Sequence, residues 1–156
     1  MKNSAAFLEI AFATSHLGAV FLPINYRLAR DEAEYILGDA GASVLFADDE
    51  FTDVLSDIPG VETVFVDDAS RHDGRKLAGT GLPIPGMNAR KTGDLFRLMY
   101  TSGTTDRPKG VIHSYENFYW KSMSHIISLS LSGNDRCLVV GPLYHVGAFD
   151  LPGIAV

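Results

Sequence analysis

The chain has 156 residues, 46% hydrophobic and 21% charged, a composition suited to one globular domain or a piece of a larger one. Thirteen Lys and Arg against nineteen Asp and Glu give a formal net charge of −6 with no basic run, which argues against general binding to nucleic acid or to an anionic membrane. Cys137 is the single cysteine, so an internal disulfide and a cysteine-based zinc cluster are both excluded, and a reducing, cytoplasmic setting is expected.

The N-terminus has the outline of a signal peptide, with Lys2, an apolar stretch and Ala11-Phe12-Ala13, but Glu9 interrupts the apolar part. No stretch reaches the ~18 apolar residues of a membrane-spanning helix. Residues 4–17 predict a helix with Gly18 as its C-cap. The apolar run 19–24 predicts a short buried strand, with Pro23 near its end. A second, amphipathic helix follows over 31–39, with Ala33, Ile36, Leu37 and Ala40 on one face and Gly41 as its stop. Residues 42–47 and 63–66 read as strands, separated by a short helical segment around 51–55. This alternation predicts an α/β fold, a mostly parallel sheet flanked by helices.

Residues 67–93 carry Gly74, Gly79, Gly81, Gly86, Gly93, Pro83 and Pro85 with no sustained period, and predict a long surface connection. Strands are expected again at 94–100 and 111–113, then a helix over about 116–131 and a last strand at 136–140 leading into Gly141-Pro142-Leu143-Tyr144-His145. The chain therefore divides into segments 1–66, 67–93 and 94–156. The apolar run 151–156 at its end leads us to expect an incomplete domain.

Most of the chemical information lies in Tyr100-Thr101-Ser102-Gly103-Thr104-Thr105-Asp106-Arg107-Pro108-Lys109-Gly110. Gly103 and Gly110 let the backbone turn its N–H groups toward an anion. Thr101, Ser102, Thr104 and Thr105 add hydroxyl donors, and Lys109 supplies a mobile positive charge for phosphate oxygens. A polar turn between strands is the plain alternative, but it does not call for so many hydroxyls together with Pro-Lys-Gly. The Walker-type loop fails on spacing, because Lys109 sits between Pro108 and Gly110.

This segment resembles the signature phosphate loop of the adenylate-forming (AMP-binding) superfamily of acyl-CoA synthetases, luciferases and peptide-synthetase adenylation domains. Residues 16–28, HLGAVFLPINYRL, resemble the family's Gly-Ala-x-x-x-Pro-x-Asn segment. Asn117 falls where the family has an Asn after the loop, and Pro142-Leu143-Tyr144-His145 resembles its Pro-x-x-His segment. The resemblance implies part of the family's large N-terminal domain, without the C-terminal catalytic domain. It implies joining of a carboxylic acid to ATP with release of pyrophosphate, then transfer of the acyl group to a thiol such as coenzyme A.

By the same resemblance, Thr101, Ser102, Gly103, Thr104, Thr105 and Lys109 hold the β- and γ-phosphates, with Thr101 also nearest Mg²⁺. His145 lines the junction of the acyl pocket and the reacting carboxylate, the alternative being a histidine satisfied by backbone. Lys109 and His145 are the catalytic candidates. Asp106 stands where the family has a small residue, and its charge opposes bound phosphate unless Arg107 offsets it or it faces solvent. Tyr115 replaces the His usual before the family's Asn, a role that does not transfer to His113. Residues 23–28 resemble the fatty and aromatic acid CoA ligases more than the peptide-synthetase type. The expected function is acyl-CoA synthesis as part of a longer enzyme, the chain alone being inactive. The alternatives are an amino-acid or aryl-acid adenylation domain loading a carrier protein, or a non-catalytic remnant, with homodimer formation through uncovered apolar surface open in each case.

Overall fold

The computed structural model describes residues 1–67, 83–101 and 107–155. Helix α1 (Ala5–Leu17) begins where the Ser4 hydroxyl accepts the Phe7 N–H at 3.2 Å. It ends at Gly18, whose φ of 87° is left-handed and returns N–H bonds to the last turn. Its inner face buries Ala6, Phe7 and Ala11. The next segment is less regular than a strand. Only Phe21 bridges to Arg97: Phe21 N–H donates to the Phe96 carbonyl and Leu98 N–H to the Phe21 carbonyl, at 3.1 and 2.9 Å. Pro23 cannot donate, and Asn25 then turns the chain by accepting the Arg27 N–H on its side chain at 3.0 Å, so no ladder develops.

Helix α2 (Arg30–Asp39) buries Ala33, Ile36 and Leu37, and the Glu32 side chain reaches back to the Ala29 N–H at 2.9 Å. Strand β1 (Val44–Asp48) pairs in parallel with β2 (Glu62–Val66) from Val44↔Glu62 to Asp48↔Val66. A 3₁₀ turn (Asp49–Phe51) and the short helix α3 (Thr52–Leu55) make the crossover between them.

Strand β3 (Leu95–Thr101) pairs antiparallel with β4 (Lys109–Ser114), from Leu95↔Ser114 to Thr101↔Lys109, with an irregularity between Leu95 and Arg97. The described strands thus form two two-stranded sheets, one parallel and one antiparallel, with the Phe21–Arg97 bridge added to the second. The α/β class holds. The sheet is smaller and more mixed than the alternation suggested, because the hairpin that carries the loop needs no crossover.

Helix α4 (Tyr115–Ser128) grows directly from β4. It stops short of the predicted end, where Ser130 takes a positive φ of 53°. The strand expected at 136–140 is absent: none of these residues joins a ladder, and Leu138 and Val140 are 84% and 86% exposed. Val139 alone turns toward the core. Helix α5 (Val146–Ala155), not foreseen in the sequence, follows Gly141–His145 and contains Pro152. The core is Phe7, Ala11, Phe21, Phe96, Leu143 and Phe149. Its rings meet at centroid distances such as 5.7 Å for Phe7–Phe21 and 5.6 Å for Phe21–Phe149. Among the described residues, no helix is long and apolar enough to cross a membrane.

Candidate functional site

The β3–β4 hairpin sets the geometry at the mouth of the loop. Thr101 and Lys109 are the last cross-strand partners of the ladder, so their side chains leave on one face, about 5 Å apart at Cβ. Both are exposed, and among the described residues Lys109 makes no ion pair. Ser102, Gly103, Thr104, Thr105 and Asp106 lie outside the described residues. On the opposite face, the Tyr100 ring covers Gly110 so closely that a Cβ there would sit 3.1 Å from it. The Tyr100 hydroxyl donates to Asp39 Oδ2 at 2.5 Å. Burial, then the bond to Asp39 and its negative charge, push this phenol up to about 12. Arg107 lies over the Tyr35 ring at 5.0 Å.

Toward the core, Arg97 is 2% exposed and pairs with Asp150 of α5, Nη2 to Oδ1 at 2.8 Å, while its Nε donates to His113 Nδ1 at 3.3 Å. The guanidinium is enclosed by Phe96, Phe118 and Phe149 at 5.7, 5.5 and 5.4 Å. His113 is held below its ordinary range by burial first and by the Arg97 charge second, with Asp150 opposing.

His145 stands apart from the hairpin, at the residue before α5. Its Nδ1 accepts the Gly147 N–H at 3.3 Å, and its carbonyl accepts the Ala148 and Phe149 N–H groups. That bond uses the Nδ1 lone pair, so the proton of the neutral ring sits on Nε2, at the exposed edge. The residue is anchored to backbone and still presents one ring nitrogen. Its segment is held by Asn3, whose Nδ2 donates to the Gly141 carbonyl at 2.9 Å and whose Oδ1 accepts the Leu143 N–H at 2.8 Å.

Asn117 closes a reciprocal cap on α4, taking the Ser114 N–H at 3.0 Å and giving its own N–H to the Ser114 hydroxyl. Tyr115 bonds Ser15 of α1 at 2.8 Å. Tyr26, in the segment after Pro23, meets Tyr144 edge to face at 5.7 Å, so two segments distant in sequence are in contact. A separate apolar groove of about 570 Å³, lined by α1, residues 19–24 and 40–46, and Leu98, contains none of the candidate residues. No group of three or more His, Cys, Asp or Glu able to hold a metal occurs among the described residues.

Arg97, Asp150, Asn3 and the α2 pair Tyr35 and Asp39 were not singled out from the sequence. The first two had a readable signal: one Arg in the apolar strand LFRLMYT and one Asp in the apolar VGAFDLPGIA, opposite charges each alone in apolar surroundings.

An α/β framework thus carries, in the stretch that joins β3 to β4, the sequence Ser102-Gly103-Thr104-Thr105 ahead of Pro108-Lys109-Gly110. The model of the AMP-binding enzyme family matches residues 1–154, and the chain belongs to that family of adenylate-forming enzymes. It is 34% identical over 149 residues to a feruloyl-CoA synthase of an Amycolatopsis species, covering 96% of this chain and 29% of that protein. It is 33% identical over 154 residues to the long-chain-fatty-acid–CoA ligase FadD13 of Mycobacterium tuberculosis, covering 95% of this chain and 30% of the relative. The crystal structure of ATP-bound MatB from Rhodopseudomonas palustris superposes with a TM-score of 0.85 at 25% identity, over 98% of this chain and 31% of that one. The chain thus spans about 30% of the length of the curated relatives it matches.

Proposed function

We propose that this chain is the phosphate-loop-bearing part of a longer, cytoplasmic acid–thiol ligase of the acyl-CoA synthetase type. A carboxylate oxygen of a fatty or aromatic acid bonds to the α-phosphorus of ATP, and the α–β bridging P–O bond breaks to release pyrophosphate. The thiol of coenzyme A then displaces AMP from the acyl carbon. Support comes above all from whole-chain similarity to CoA ligases that includes the loop flanked by Thr101 and Lys109.

In this reading, Thr101, Ser102, Gly103, Thr104, Thr105 and Lys109 hold the β- and γ-phosphates. They stabilise charge that grows on the leaving pyrophosphate, an electrostatic task suited to fixed N–H and ammonium donors. The Thr101 hydroxyl contributes to holding Mg²⁺, which supplies further positive charge to the triphosphate. His145 lines the acyl side in this reading, with Nδ1 held by the Gly147 N–H and its other ring nitrogen left to meet the carboxylate. The 156 residues alone form little or no acyl-adenylate, since phosphate contacts are only part of the binding energy.

The test is ATP–pyrophosphate exchange by the complete polypeptide that carries this sequence, with panels of fatty and aromatic acids, beside the same assay on the 156-residue chain. Lys109→Ala is expected to slow exchange about 100-fold, as loss of one electrostatic donor does elsewhere. Exchange with no acid, or an unaffected Lys109→Ala enzyme, would refute the reading. Strict dependence on amino acids and a carrier protein would favour the adenylation-domain alternative.

A further inference from the structure

A loop can hold an anion only if its two ends are held. Here the loop leaves β3 after Thr101 and rejoins β4 at Lys109. A two-stranded ladder frays at its open end, and this end has little burial to stop it: Lys109, Gly110, Val111 and Ile112 are all exposed. What orders it comes from α2. Tyr35 and Asp39 are four residues apart, so they stand one above the other on one face of that helix.

Asp39 takes the hydroxyl of Tyr100, the last residue but one before the loop on β3. Tyr35 takes the other end: its ring lies under the Arg107 guanidinium at 5.0 Å, and its hydroxyl comes within 3.5 Å of the Pro108 carbonyl. Between the two, the Tyr100 ring lies flush on Gly110, so moving either strand end disturbs the other. Each end of the loop is thereby tied to a different turn of the same rigid helix.

We propose that Tyr35 and Asp39 are positioning residues that clamp both ends of the loop onto α2, fixing the spacing at which Thr101 and Lys109 meet a polyphosphate. This rests on the phosphate-loop reading above. The clamp also gives Arg107 a part, its guanidinium stacked on the Tyr35 ring at the end of the loop.

The test uses Tyr100→Phe, Asp39→Asn, Tyr35→Leu and Tyr35→Phe in the intact protein, with thermal melting to confirm folding. Two quantities are read: amide exchange at residues 101 and 109–111, and affinity for Mg–ATP and for Mg–tripolyphosphate by calorimetry. Tyr100→Phe, Asp39→Asn and Tyr35→Leu are each expected to speed exchange at these amides alone and to weaken both ligands about three- to tenfold. Tyr35→Phe keeps the stacked ring and restores both readouts. The Tyr100→Phe/Asp39→Asn double variant should be no worse than either single one, because the two residues share one bond.

Unchanged exchange in the three clamp variants overturns the clamp, whatever the ligands do. Faster exchange with unchanged affinity overturns its positioning role. Lys109→Ala, run beside them, separates the two ideas: if it too leaves both affinities unchanged, the phosphate-loop reading fails while amide exchange still decides the clamp. Should a variant melt too early to measure, Arg107→Gln removes the stacked cation from the surface side and carries the same expectations.

Discussion

Arg97 donates its Nε–H to His113 Nδ1 at 3.3 Å, a bond that exists only while that nitrogen keeps its lone pair. Protonating His113 would replace this bond with two cations facing each other in a half-buried site, relieved only in part by Asp150. Burial first, and the Arg97 charge second, depress its affinity for a proton in the folded chain relative to the ordinary 6.5. The unfolded chain then binds more protons just below that value, so stability falls as pH drops from about 6.5 toward the lower folded value. Urea midpoints between pH 7.5 and 5 should show this decline, and His113→Gln should flatten it. An unchanged slope in the variant would place the acid sensitivity elsewhere. None of this was legible in the sequence, where His113 read only as a strand residue. The partners that shift it lie at positions 97 and 150, and tertiary contact alone connects them.

Helices were the readable elements because their ends carry local chemistry. Gly18 ends α1 as the sequence predicted, while Ser4, counted there as the first helical residue, caps the N-terminus instead. Strands were less readable, since an apolar run becomes a strand only if a neighbour offers a ladder. Residues 19–24 obtained one bridge and 136–140 none. Helix α5 was hidden by Pro152 and by apolar residues on all sides, which leave no 3.6-residue period. Thr101 and Lys109 were legible as members of the loop motif, and the hairpin register, which the sequence does not show, makes them cross-strand partners. The placement of the Pro142–His145 segment was not legible, because it depends on Asn3, about 140 residues away. Asn3→Ala leaves the Leu143 N–H and the Gly141 carbonyl to water and should cost about 0.5–1.5 kcal/mol in urea melts, with faster amide exchange at residue 143. Asn3→Asp keeps the acceptor for Leu143 and should lose less. Equal losses in the two variants would mean that the donor bond to Gly141 carries the effect.

At the scale of the whole molecule, the loop-bearing hairpin and the helix that follows His145 are joined by one ion pair inside an aromatic shell. Arg97 and Asp150 are 2% and 1% exposed, and Phe96, Phe118 and Phe149 surround the guanidinium. Bringing both charges out of water costs several kcal/mol each, which their attraction and the bond to His113 must offset. Such a pair stabilises weakly in net terms but punishes any arrangement in which the partners are apart. Removing one partner leaves the other charge buried alone. Asp150→Ala is therefore expected to lose about 3–5 kcal/mol, enough to unfold much of a population whose total stability is on the order of 5–15 kcal/mol. Replacing both with apolar residues, Arg97→Met with Asp150→Leu, removes the penalty and should return the urea midpoint to near the wild-type value. The double variant should still differ in one respect: with only non-directional packing between β3 and α5, Tyr144 and the His145 end of α5 should lose their fixed setting and show a weakened near-ultraviolet signal. If the double variant is as unstable as Asp150→Ala, the pair is a true net stabiliser. If it regains both stability and a sharp aromatic signal, shape alone sets the hairpin against the helix and the charges add nothing to the fit.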